Sequence, residues 1–135
     1  MALIRFLAFV APVILAGILP ADGVLAHAKL LRAEPAPGAT ITATPKVVRL
    51  WFHLAPGEEL DIRRSTISIW DSRARRVDDG KGGVDLDDLD RQSMIVRLKP
   101  LKSGTYAVKW QVITSPDGAS SRGAFRFTLV RNPGG

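Results

Sequence analysis

The chain contains two histidines, His27 and His53, and no cysteine. Thiol nucleophiles, disulfides and cysteine-ligated zinc are therefore excluded. No Gly-x-Ser-x-Gly elbow, phosphate-cradling Gly-x-x-x-x-Gly-Lys loop or His-Glu-x-x-His pair is present. Enzyme constellations are thus absent, and the chemistry rests on His27. This residue directly follows Val24-Leu25-Ala26, a small-residue boundary of the kind read by signal peptidases. Cleavage there would leave His27 with a free α-amine, of reference pKa about 7.7–8.0, beside its own imidazole. Amine and ring nitrogen can close a chelate around Cu(II), which favours tetragonal nitrogen and oxygen sites. A histidine can equally stand after a cleavage site by chance, and the position alone does not choose between these readings.

The segment before His27 has the three-part plan of an export signal. Met1 to Arg5 supply a short positive start, and Phe6 to Leu19 are apolar almost throughout. That run is shorter than the roughly 20 residues a spanning helix needs, and Pro12 and Pro20 interrupt it. The expected division is a signal peptide over 1–26, one domain over 27–130 and a short frayed tail over 131–135. The mature protein is expected to be periplasmic, with no span of its own. The net charge of +6 would suggest nucleic acid for a cytosolic chain. For an exported one it reads as a solvated basic face, with attraction to anionic lipid as the functional alternative.

The elements that must position His27 are strands. Val48, Leu50 and Phe52 alternate with Arg49 and Trp51, and Ile67 and Ile69 with Ser68 and Trp70. Met94, Val96 and Leu98 alternate with Ile95 and Arg97. Tyr106, Val108, Trp110 and Val112 do so with Ala107, Lys109 and Gln111, and Phe125, Phe127 and Leu129 with Arg126 and Thr128. Such period-two patterns put one set of residues on a core face and the other toward solvent. A further strand is expected around Lys29 to Arg32. Turns fall at Pro35-Ala36-Pro37-Gly38, Pro56-Gly57, Lys102-Ser103-Gly104 and Ser115-Pro116-Asp117-Gly118. No helical stripe appears. The pattern predicts an all-β, two-layer antiparallel sandwich or Greek-key barrel. The Asp- and Gly-rich stretch from Asp78 to Asp90 matches no calcium loop and reads as a solvated loop.

These residues together resemble the CopC family of periplasmic copper-binding proteins. The similar opening is His27-Ala28-Lys29-Leu30, Pro35-Ala36-Pro37-Gly38-Ala39, Pro45 and Val48-x-Leu50-x-Phe52. The similar end is Leu101-x-x-Gly104-Thr105-Tyr106-x-Val108-x-Trp110-x-Val112, then Ser115, Asp117-Gly118, Gly123 and Phe125-x-Phe127. The resemblance implies a cupredoxin- or immunoglobulin-like Greek-key β-sandwich of about seven strands. It further implies Cu(II) held by the terminal histidine and an Asp-x-His pair, a role in copper tolerance or supply, and partnership with an inner-membrane copper transporter of the CopD type. On that pattern His27 and Asp117 match ligands. Ala119 stands where the second histidine belongs, and one extra residue lies between Trp110 and Asp117. Leu54 replaces the carboxylate often found two positions after Phe52. Met94 is the one methionine of the mature chain, so a methionine-rich Cu(I) site is missing.

His53 neighbours the Leu54 position and is a third candidate ligand, although alternation places it opposite Phe52 unless a bulge intervenes. The expected function is that of a periplasmic copper-binding protein with a degenerate Cu(II) site at His27, Asp117 and His53, and not an enzyme. The alternative is an exported, metal-free β-sandwich used for interaction or scaffolding. Oxidative copper catalysis is disfavoured by the missing second histidine.

Overall fold

The structure is a computed structural model that describes residues 28–132. The expected signal peptide, His27 and residues 133–135 lie outside the described residues. Nine strands build it: β1 (Lys29–Glu34), β2 (Thr40–Ile41), β3 (Val47–His53), β4 (Glu59–Leu60), β5 (Thr66–Trp70), β6 (Gly83–Val84), β7 (Ser93–Arg97), β8 (Gly104–Ser115) and β9 (Ser120–Leu129). They form two sheets. One runs β1-β3-β7-β6; the other runs β2-β9-β8-β4, with β5 also paired to β8. The all-β sandwich expected from the sequence is the fold observed. All pairings are antiparallel except β2 with β9, a two-residue parallel contact of Thr40 and Ile41 with Thr128 and Leu129.

The long strands follow their alternation. Val48, Leu50 and Phe52 of β3 are buried, as are Ile67 and Ile69 of β5, Met94 and Val96 of β7, Val108 and Val112 of β8, and Phe127 and Leu129 of β9. These are the inward sets of both sheets, and their mutual burial is the main driving force for folding. Tyr106 stacks on Phe127 with ring centroids 5.5 Å apart. Its hydroxyl donates to the Lys102 carbonyl, which supplies the partner a buried phenol needs. In β1 the register shifts between Leu30 and Arg32, and Leu31 is turned out to 71 % exposure. Arg32 then lies 3.9 Å from the Trp51 ring centroid on the outer face.

Gly123 is directly opposite Trp110 in the β8–β9 ladder. A Cβ built there would fall inside van der Waals contact of the indole Cζ2 and within 2.8 Å of Cε2. The absent side chain is what lets the indole lie across β9. Gly123→Ala should therefore destabilise the domain by about 1–3 kcal/mol through overpacking. A urea melt measures this, and an unchanged midpoint would mean that Trp110 can move aside freely.

The stretch from Asp78 to Asp90 is only partly the solvated loop expected from its composition. Gly83 and Val84 pair with Ile95 and Met94 as β6, and Val84 is buried. Asp85 accepts from Arg49 Nη1 at 2.9 Å. The Asp78 side chain is wholly buried and receives Ile69 N–H at 2.8 Å, Gly80 N–H at 2.7 Å and Arg76 Nε–H at 2.9 Å.

Candidate metal centre

Three pieces of chain meet at one end of the sandwich. β1 begins there, with Lys29 opposite His53 at the end of β3. β3 then turns back through residues 54–58 into β4, whose Leu60 and Glu59 pair with Thr114 and Ser115 at the end of β8. The turn at 116–119 follows and leads into β9. Leu60 N–H also donates to the Arg91 carbonyl at 2.9 Å, which ties the first sheet's connections to the second. At this end Ala28, Leu54, Leu60 and Thr114 are all buried.

Asp117 is exposed in the β8–β9 turn. Its Oδ1 accepts from the Thr114 hydroxyl at 3.3 Å and from Ala119 N–H at 3.4 Å. Thr114 also donates its backbone N–H to the Ala119 carbonyl at 2.8 Å and receives Gly118 N–H on its own carbonyl at 2.8 Å. The turn therefore holds Asp117 through a short local network centred on Oδ1. Thr114 is a residue the sequence reading missed. Its signal was a hydroxyl at an inward position, in step with Val108 and Val112 on β8.

His53 is exposed at the end of β3, while Phe52 before it and Leu54 after it are buried. Simple alternation holds through this point, so the imidazole points to the outer face with Trp51 and Arg49, away from the buried residues at this end. The irregularity of this strand pair lies in β1, not β3. Leu54, at the position of the missing carboxylate, is 6 % exposed and belongs to the hydrophobic core. Among the described residues no group of three or more His, Asp or Glu side chains could hold a metal ion. The described part of the candidate centre is thus Asp117 and its supporting turn, at the end of the sandwich where β1 begins.

The chain as a whole is similar to known proteins. The CopC domain family matches residues 30–130. Protein YobA of Escherichia coli K12 is 32% identical over 117 residues, covering 86% of this chain and 89% of that protein. Among solved structures, CopC from Methylosinus trichosporium OB3b superposes with a TM-score of 0.66 at 29% identity, covering 78% of this chain and 96% of that one. PcoC, a methionine-rich copper resistance protein from Escherichia coli, superposes with a TM-score of 0.61 at 23% identity over 78% of this chain and all of its own length, a likeness of fold alone. In family match, sequence identity and architecture, this chain belongs to the CopC-domain family.

Proposed function

We propose that this protein is a periplasmic Cu(II) carrier whose site has fewer donors than a full family site. One observation carries the reading: Asp117 is held by its turn at the sandwich end where β1 begins, one residue beyond Ala28 and two beyond His27. After cleavage between Ala26 and His27, the terminal amine and imidazole supply two nitrogens and Asp117 one oxygen. Leu54 and Ala119 carry no donor atom, so water or a poorer ligand completes the square around Cu(II). Membership of the CopC-domain family, which the sequence resembles as a family of periplasmic copper-binding proteins, supports the copper role. The ion is bound as cargo and no catalytic step is assigned. An inner-membrane copper transporter of the CopD type is the proposed recipient or donor. Intact mass of periplasmic protein tests the cleavage, and a chain retaining residues 1–26 would remove the terminal-amine mechanism.

Competitive Cu(II) titration of the mature protein tests the site. His27→Ala should weaken binding by more than about 100-fold, because the chelate is lost and not merely its support. Ala119→His should tighten it by restoring a nitrogen. His53→Ala should leave it unchanged, given the outward direction of that side chain; a loss there would make His53 a ligand. Binding should weaken as pH falls, because amine and imidazole must shed protons to coordinate. Equal affinity of wild type and His27→Ala would overturn the proposal. The second reading, a metal-free interaction module, is favoured by Leu54 being part of the core; absence of any Cu(II) binding by wild type would shift the reading to it.

A further inference from the structure

The outer face of the larger sheet carries a feature that the copper reading does not use. Outward positions on β5, β8 and β9 hold three charged residues, Lys109, Arg122 and Arg126, all cationic. Neither Lys109 nor Arg126 makes an ion pair with a carboxylate among the described residues, whereas Arg49, Arg64, Arg75 and Arg76 each do. A cavity of about 640 Å³ opens beside these two cations, lined by Trp70, Thr105, Ala107, Lys109 and Arg126 among others. That volume is within the range of small-molecule sites, roughly 300–1,000 Å³.

Register explains its shape. Trp70, Ala107 and Arg126 form one cross-strand row, because Trp70 pairs with Ala107 and Ala107 with Arg126. The outer two are separated by two strand spacings, about 9.5 Å. Side chains stand nearly perpendicular to a sheet, so an indole and a guanidinium flank a floor made only of a methyl group. Two carbon contact distances of about 3.5–4.0 Å each fit within that gap, the room needed for one flat group between the walls. The indole is fixed in place: its Nε1–H donates to Ser68 Oγ at 2.8 Å. In the next row Lys109 brings its ammonium to 5.6 Å from the Trp70 ring centroid. At the rim, Asp71 is the one acid, and its carboxylate is already engaged by Arg73 N–H, Arg75 N–H and Arg75 Nε–H at 2.9, 2.9 and 3.3 Å.

We propose that this slot binds a small organic anion with a flat unsaturated ring, an aromatic or heteroaromatic carboxylate, stacked between Trp70 and Arg126 over Ala107 with its carboxylate on Lys109. A planar guanidinium stacks on a π-face and adds positive charge there, which a solvated lysine patch would not do. Ala107 is about eight residues from the end of β8, roughly 27 Å along the strand at 3.4 Å per residue, so this slot and the Asp117 turn are independent.

The test is a ¹⁵N-resolved titration of the full mature protein with benzoate, reading the Trp70 indole N–H, which is assigned from its loss in Trp70→Phe. Benzoate should give a saturable shift with a Kd on the order of millimolar. Cyclohexanecarboxylate (equal charge, no flat face), benzyl alcohol (flat, uncharged) and inorganic phosphate should each bind about tenfold more weakly or not at all. Arg126→Gln should weaken benzoate binding about tenfold, and Ala107→Leu should abolish it with every charge kept. Since Ala107 is on the outer face, the leucine does not enter the core, and an unchanged urea midpoint verifies the fold. The proposal is overturned if the four probes act alike, if Ala107→Leu still binds, or if no saturable shift appears. Binding to phosphatidylglycerol vesicles without a benzoate response would also overturn it and make the face a charge surface only.

Discussion

Asp78→Ala is expected to destabilise the domain by about 3–5 kcal/mol, the range for breaking a buried ion pair from one side. The side chain is 0 % exposed, against 45 % for its partner Arg76. Its oxygens serve three donors: Ile69 N–H and Arg76 Nε–H on Oδ2 and Gly80 N–H on Oδ1. Removing the carboxylate orphans two backbone amides in a place that water does not reach, and each such loss costs about 1–3 kcal/mol. Arg76 is solvated enough to recover part of its own share. The acid also fastens the chain where Asp78 bridges Leu98, so the loss should spread to β6 and its pairing with β7. Asp78→Asn keeps an acceptor and the shape and should lose roughly half as much.

The same residue gives the domain an acid limit. Burial pushes the Asp78 carboxyl upward, but the Arg76 hydrogen bond, the two backbone donors and the Arg76 charge outweigh it, and the net result is below the ordinary value of 3.8. A carboxyl whose folded pKa is depressed stabilises the fold above its unfolded pKa, about 3.9, and that stability is lost as pH falls through the folded value. Urea midpoints of wild type should hold above pH ~4 and fall below it. The gap between wild type and Asp78→Asn should narrow in the acid range. Equal midpoints at neutral pH would show that Asp78 is replaceable.

Alternation was enough to place the large inward side chains, because a residue such as Leu50 or Val108 has one face to choose and the core takes it. Asp78 was not legible in this way. In a run of Asp and Gly it has the composition of a turn, and its burial depends on pairing with Ile69 and Leu98, positions distant in sequence. The two-residue strands β2, β4 and β6 escaped for a related reason: two residues carry no period, and only the longer strand beside each one defines them. The bulge at Leu30 and Arg32 likewise leaves no mark in composition. At the candidate site, His53 follows its alternation outward, and Leu54 follows it into the core. Alternation marks Thr114 as a polar residue at an inward position, but only the turn at 116–119 brings its hydroxyl to Asp117. The slot at Trp70 is similar, since Trp70, Ala107 and Arg126 are far apart in the chain and only register brings them into a row.

The second large effect concerns the contact between the two sheets near Trp110. Phe52 of β3 and Trp110 of β8 meet edge to face, with centroids 5.0 Å apart and an interplanar angle of 75°. Phe52 is 2 % exposed, and Trp110 is partly buried against the same core. Phe52→Ala should therefore cost about 3–5 kcal/mol, the full range for emptying an aromatic site. Trp110→Ala should fall near 3 kcal/mol, at the lower end, because part of the indole already meets solvent. The pair itself contributes about 0.5–1.5 kcal/mol beyond its buried area, so the double mutant should lose less than the sum of the singles by that amount. Trp110→Phe adds a separate arm. The Trp110 Nε1–H is buried without a hydrogen-bond partner among the described residues, and an unmade buried bond costs about 1–3 kcal/mol. Phenylalanine removes that donor while keeping an aromatic ring, so its lost contacts are largely offset and the midpoint should move little. Urea melts of the four variants decide the matter. Strict additivity of Phe52→Ala and Trp110→Ala would show that the two rings stabilise the sandwich separately, and that the edge-to-face contact joins the sheets in geometry only.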